Sequence, residues 1–302
     1  MPQPSEDHKP RQCEDAIVDD FYSPWEKSSQ EAADLYNSGV KLWTKESLKD
    51  IEEQMAMSSK IEYFKLRRLD GSTVSVKNPL FGVETPIWRP CVIFLDFWNI
   101  TLVRQEIEKK STWHCPCLVG WENDTRHKFD GLIKNVEPRL QLAKQIWRDS
   151  NSCRLFKAQL KRVLRDRKIT KVLCFGLGDL HRRLSPRSRQ ELNRSEDIDH
   201  SLVQHVVALT IAEVAQSLNG DVRLLAQDPK YVEETKALLH KEGFETIGPF
   251  GAGGFAEIDE ESIVFSAYMP VPLKQILADI ARPVLIITNG VDSDDFLTDE
   301  EG

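Results

Sequence analysis

The sequence predicts an α/β protein whose larger part is a parallel sheet flanked by helices, with an N-terminal α+β extension in front of it. Three observations lead there. From Ile169 onward, short β-rich runs alternate with helical segments, the pattern of β-α-β units with right-handed crossovers. These runs are apolar almost throughout, as strands buried on both faces must be. The region before Val136 shows no such alternation and instead pairs a helix with short strand-like runs.

The elements follow in order. Thr44 can cap a helix from Lys45 to about Met57, in which Leu48, Ile51 and Met55 repeat at helical spacing. Lys60 to Lys77 reads as two short strands around Asp70-Gly71, a pair suited to a tight turn because glycine tolerates positive φ. Cys91 to Leu95, within Pro86 to Asn99, supplies a further apolar run. Two amphipathic helices then cover Val136 to Asp149 and Ser152 to Arg167. Strands are expected at Lys171 to Phe175, Val222 to Ala226, Phe244 to Ile247, Ser262 to Ala267 and Val284 to Thr288, with helices at Ser201 to Leu218, Lys230 to Lys241 and Leu273 to Ile280. The resulting organisation is a disordered segment over 1–30, an α+β region over 31–135, a Rossmann-like domain over 136–291 and an acidic disordered tail over 292–302.

Composition narrows the class. A chain of 302 residues that is 40% hydrophobic suffices for one large domain or two modest ones. Six cysteines scattered over that length suit a reducing compartment, so a cytoplasmic or nuclear protein is expected. No secretory leader pattern opens the chain, and no uninterrupted apolar run is long enough to span a bilayer, so no membrane partner is expected. The formal charge of −8 is concentrated in the two acidic ends. From Arg154 to Arg194 thirteen Lys and Arg face three acids, but no aromatic residues interleave with them. That composition is a solvated face plus a polar insertion, and a nucleic-acid partner is not expected. The insertion, His181 to His200, carries five arginines and no apolar period and reads as a mobile surface loop in which Ser185 and Ser188 are open to phosphorylation.

Candidate ligand positions lie after the strands, because parallel sheets bind ligands beyond their carboxyl ends. Gly176 and Gly178 follow the first strand of the sheet and allow either a purely structural turn or a close approach to a phosphate or carboxylate. The third glycine of the dinucleotide fingerprint is missing. Asp228 ends the second strand and is either the N-cap of a helix with Pro229 at N1 or an acceptor for ribose hydroxyls. Read as a cap, it tolerates replacement by asparagine with little change in stability. Tyr268 and Met269 leave the fourth strand and Asn289 the fifth, which completes a set of loops on one sheet edge. His114-Cys115-Pro116-Cys117 is the densest group of metal-type ligands, with a spacing unlike that of common zinc sites, and no metal is assigned. No catalytic set emerges and no cofactor can be named.

Several of these segments, in order, resemble the SRR-like domain family, named for sensitivity to red light reduced. They are Lys171 to Gly178, Ser201 to Gln204, Gln227 to Tyr231, Leu238 with Gly243, and Phe265 to Pro270. The wording of Ala226 to Pro229 and of Gly254 to Asp259 is most similar to filamentous-fungal members. The family pattern has Met-Pro-His-Cys where this chain has Met269 to Pro272, so any chemistry of that His and Cys is lost here. The resemblance implies a regulatory protein, with links to circadian and light signalling and to haem metabolism, and implies no secure catalytic activity. The expectation is therefore a regulatory protein with a small anionic or nucleotide-like ligand, or a protein partner, at the sheet edge; the alternative is a nucleotide- or S-adenosylmethionine-binding transferase.

Overall fold

A computed structural model describes residues 29–101, 112, 114–123, 125, 131–182, 198–267 and 269–288. Of the ends expected to be disordered, 1–28 and 292–302 fall outside these residues, whereas 29 and 30 are ordered at the start of a helix over 29–37; Tyr268, Asn289 and the 183–197 part of the basic insertion with its serines also fall outside.

The N-terminal region holds helix α1 (Lys45–Ala56), an antiparallel pair β1 (Tyr63–Arg67) and β2 (Thr73–Lys77), strand β3 (Trp88–Phe94) and a short helix α2 (Phe97–Thr101). It also contains a strand the sequence did not disclose, β4 (Cys117–Asn123), antiparallel to β3. The first helix starts where its signals lie: Thr44 and Ser47 form a reciprocal capping box. Gly71 takes φ +84°, the left-handed value that the turn between β1 and β2 requires.

Two helices, α3 (Val136–Asp149) and α4 (Asn151–Leu164), lead into the main sheet. Its strands are β5 (Lys171–Phe175), β6 (Arg223–Gln227), β7 (Glu245–Thr246), β8 (Ser262–Ser266) and β9 (Leu285–Thr288). All its pairings are parallel, in the order β7-β6-β5-β8-β9. Helices α5 (Ile198–Asn219), α6 (Glu233–Lys241), α7 (Gly253–Ala256) and α8 (Leu273–Ile280) connect them. Each predicted strand is present, within one or two residues at its ends.

Alternation along the strands divides the core in two. Val172, Cys174, Leu224, Ala226, Ile263 and Phe265 point to one face, where they meet α3, α4, α5 and α6. Leu173, Phe175, Leu225 and Val264 point to the other. There, among the described residues, α7, α8 and the loops beside them come from the same half of the chain, and the N-terminal region adds further cover, with Leu48, Ile51, Met55, Phe64 and Leu66 in the same buried cluster. The α+β extension therefore completes the second layer of the sheet. Polar ties fix it: the Trp43 amide donates to Asp279 at 3.1 Å, and the Phe97 amide to Gln275 at 2.9 Å.

Helix α5 is long and apolar enough over His200–Asn219 to cross a membrane by length and composition alone. Its Leu202, Val206, Ala208, Ile211, Val214 and Ala215 are buried between the sheet and α3 and α4, which accounts for that composition. Among the bases of the Arg154–Arg194 stretch, Lys157 pairs with Glu213 at 2.8 Å, Lys168 with Glu261 at 2.7 Å and Lys171 with Asp259 at 2.9 Å.

Candidate functional site

The strand order sets where a ligand can enter. From β5 the chain runs to α5 on one face, while from β8 it runs to α8 on the other. The loops leaving these neighbouring strands part towards opposite faces, so the carboxyl edge between them is the topological switch point of a doubly wound sheet, where a crevice is expected. Gly176, Leu177 and Gly178 form one lip. Met269 stands on the other and packs into the cluster beneath the N-terminal region.

The glycine turn is strained in the way glycine alone accommodates, with φ +63° at Gly176 and +81° at Gly178. The Gly176 amide extends the ladder by donating to the Gln227 carbonyl at 3.0 Å, and the Gly178 amide donates to Asp228 Oδ2 at 2.9 Å. Structure thus brings Gly178 and Asp228 together, while Met269 lies in the loop after the neighbouring strand β8 and packs on the other face of the sheet.

Asp228 is not the helix N-cap that its Asp-Pro sequence suggested. Helix α6 begins at Glu233, with Val232 in the capping position and no side-chain cap. The Asp228 carboxylate instead takes the Lys230 amide on Oδ1 at 2.9 Å, a turn of the Asx type, and spends its other oxygen on Gly178. A local signature gave way to a contact 50 residues away in sequence. Burial pushes this carboxyl above its ordinary range, against the pull of the two amides.

Asp179 instead ties the loop after β5 to the segment ahead of α6. Its Oδ1 accepts the His181 and Arg182 amides at 2.7 and 2.6 Å, and its Oδ2 accepts the Val232 amide at 2.6 Å, just ahead of α6. Thr235 in α6 adds a hydroxyl that accepts the Leu180 amide at 3.2 Å and lies 2.9 Å from His181 Nδ1. The loop after β5 is thereby laced to the start of α6. Sequence reading missed Asp179 and Thr235; the signal was an acid placed directly after the glycine turn.

Beneath the turn lies a buried pair. His205 Nδ1 is 2.7 Å from the Ser201 carbonyl, which can only accept, so Nδ1 carries the proton. Nε2, at 2.9 Å, then accepts from the Tyr231 hydroxyl. Burial lowers the His205 pKa from 6.5 to about 4 and raises that of Tyr231, so both are neutral near pH 7. Because the folded state resists a proton that the unfolded chain takes up below about 6.5, stability falls as pH drops from there towards about 4 and levels off below it. The loss amounts to at most about 3 kcal/mol. Urea unfolding at pH 7, 5.5 and 4 should show this slope, and His205→Gln should flatten it.

A second glycine-rich segment, Gly248 to Gly254, follows β7 and receives a carboxylate from the N-terminal region. Glu52 of α1 accepts the Phe250 amide at 2.8 Å, the Ala252 amide at 2.8 Å and the Gly253 amide at 2.9 Å. Gln227 braces the same loop, accepting the Gly254 amide at 2.6 Å and donating to the Gly251 carbonyl at 2.8 Å. At the cysteine cluster, Cys115 is buried and Cys117 partly buried, and desolvation pushes their thiols up to about 11 and about 12. Among the described residues no three His, Cys, Asp or Glu side chains are grouped to hold a metal.

A five-stranded parallel sheet in the order β7-β6-β5-β8-β9, flanked by helices on both faces, defines a Rossmann-like class of domain. Residues 156–300 match the SRR1 domain family, and the chain therefore carries an SRR1 domain. No curated protein and no solved structure matches the chain.

Proposed function

We propose that this protein is a regulatory, non-catalytic member of its family, in the cytoplasm or nucleus, that responds to a small anionic or nucleotide-like ligand at the carboxyl edge of the sheet. The observation that carries this reading is the strand order, which puts a switch point between β5 and β8, with the Gly176–Gly178 turn after one strand and Met269 after the other. By sequence Tyr268 belongs to the loop after β8 and Asn289 follows β9. Binding rather than catalysis is supported by the chemistry of the edge: Asp179 and Asp228 are committed to backbone amides, and His205 is held neutral beneath the turn. A group so engaged is a poor acid or base.

The test is a thermal-shift panel on the full chain, with nucleotides, S-adenosylmethionine, nicotinamide cofactors and haem. A nucleotide or other anion is expected to raise the melting temperature with increasing concentration, as any ligand specific to the folded state does. Selective stabilisation by S-adenosylmethionine would favour a transferase instead. Absence of any stabiliser would count against a ligand site and for a protein-interaction module.

A further inference from the structure

The outer face of α4 is basic, and one ridge along it is apolar. From Asn151 to Leu164 the helix holds Arg154, Lys157, Lys161 and Arg162 and no Asp or Glu, and Arg165 and Arg167 follow. Cys153, Leu160 and Leu164 face the core, while Leu155, Gln159 and Val163, at i, i+4 and i+8, line up on the exposed side. Leu155 is 59% exposed and Val163 40%. Among the described residues, Lys157 alone of the four helix cations pairs with a carboxylate, that of Glu213 at 2.8 Å. Arg154 and Arg162 donate to neutral side chains of their own helix, Asn151 and Gln159. Surfaces that remain in water usually intersperse both signs of charge, and this one does not.

The matching chemistry stands at the other end of the domain. After Thr288, where β9 ends, Asp292, Asp294 and Asp295 precede Phe296-Leu297, and Asp299, Glu300 and Glu301 follow, with no base among them. An apolar pair between acids complements an apolar ridge between bases, Arg154 at its start and Lys161, Arg162 and Arg165 at its end. Position favours this segment over the acidic N-terminus. Leu285 and Ile287 of β9 pack against the same cluster as Leu160 and Leu164 of α4, whereas the first described residues join the cluster on the opposite face, through Ala32. Length suffices as well: residues 289–302 span up to about 45 Å when extended, and α4 is about 21 Å long.

We propose that the outer face of α4 is a docking surface for an acidic peptide with an apolar pair at its centre, and that its occupant is the chain's own segment 292–302. Phe296 and Leu297 cover the Leu155–Val163 ridge, and the flanking carboxylates meet Arg154, Lys161 and Arg162. Exposed charges are screened by salt, so the contact weakens as ionic strength rises. It does not depend on the ligand reading at the sheet edge.

Backbone amide NMR of the full chain at low salt reads the contact from both sides. The heteronuclear Overhauser effect at Phe296 and Leu297 should be that of ordered backbone. It should fall to that of a free peptide when Arg154→Glu, Lys161→Glu and Arg162→Glu are combined, or in salt on the order of 1 M. Phe296→Ser with Leu297→Ser, which leaves α4 intact, should shift the amides of residues 154–163. Exchanging the charges, by adding Asp294→Lys, Asp295→Lys, Asp299→Lys and Glu300→Lys to the reversed helix, should restore the ordered values, which damage to α4 alone would not allow. The proposal is overturned by free-peptide values at Phe296 and Leu297 in the unsubstituted chain, by α4 amides indifferent to their replacement, or by charge exchange that restores nothing. It is equally overturned if the α4 amides respond instead to Glu14→Gln, Asp15→Asn, Asp19→Asn and Asp20→Asn, which would make the N-terminal acids the occupant.

Discussion

Phe255→Ala is expected to destabilise the folded chain by about 3–5 kcal/mol, the usual range for removing a fully buried phenylalanine and leaving a cavity. Phe255 is fully buried within α7. Its ring stacks on Phe175 of β5, with centroids 4.6 Å apart and planes 5° from parallel, and meets Phe94 of β3 edge-on at 5.4 Å. The three rings join the central strand of the main sheet to the N-terminal sheet, and such aromatic contacts add to the energy of burial. Because the N-terminal region covers one face of the main sheet, both should lose stability together. Guanidinium unfolding followed by tryptophan fluorescence and far-UV circular dichroism should give coincident transitions, displaced equally in the variant. Separate transitions, with only one displaced, would mean that the two regions fold independently.

The glycine turn is the second sensitive point. A Cβ on Gly178 would lie 2.3 Å from Ser201 Oγ, at the head of the buried helix α5, and the residue already has φ +81°. A left-handed conformation costs a β-branched residue about 1–2 kcal/mol, and forcing a side chain into packed space costs about 1–3 kcal/mol. Gly178→Val should therefore lower stability by roughly 2–5 kcal/mol, readable by urea unfolding. Any loss of ligand binding in that variant is inseparable from its folding. Asp228→Asn is not silent either, contrary to what a capping role implies: asparagine offers one oxygen where the structure uses two, and its amide group would face a backbone N–H. Its expected cost is about 1–3 kcal/mol.

The main sheet was legible because burial on both faces leaves apolar runs such as Val172 to Phe175 and Ile263 to Phe265, and periodicity reads burial directly. The carboxyl edge was legible for the same reason, since strand order and strand ends locate it. Strand β4 was hidden because no apolar alternation marks Cys117 to Asn123, and Gly120 within it is explained only by close approach, a Cβ there lying 2.7 Å from Ile93 Cδ1. The role of α1 was half visible. Leu48, Ile51 and Met55 announced an apolar face, but which surface it covers depends on partners far away in sequence. Glu52 shows the limit most clearly, because it meets the Gly248 to Gly254 segment about 200 residues on. Asp228 shows the opposite failure, a complete local signature overridden by a distant amide.

The central claim, a ligand at the switch point, is tested most directly without any substitution. Backbone amide resonances of the full chain are recorded with and without the compound that stabilises it most in the thermal-shift panel. The account predicts that shifts concentrate at Gly176 to Arg182 and at Ala267 to Leu273, the two lips of the crevice, with smaller changes at Asp228 and Lys230. Shifts confined to other surfaces, with both lips unperturbed at saturation, would contradict it.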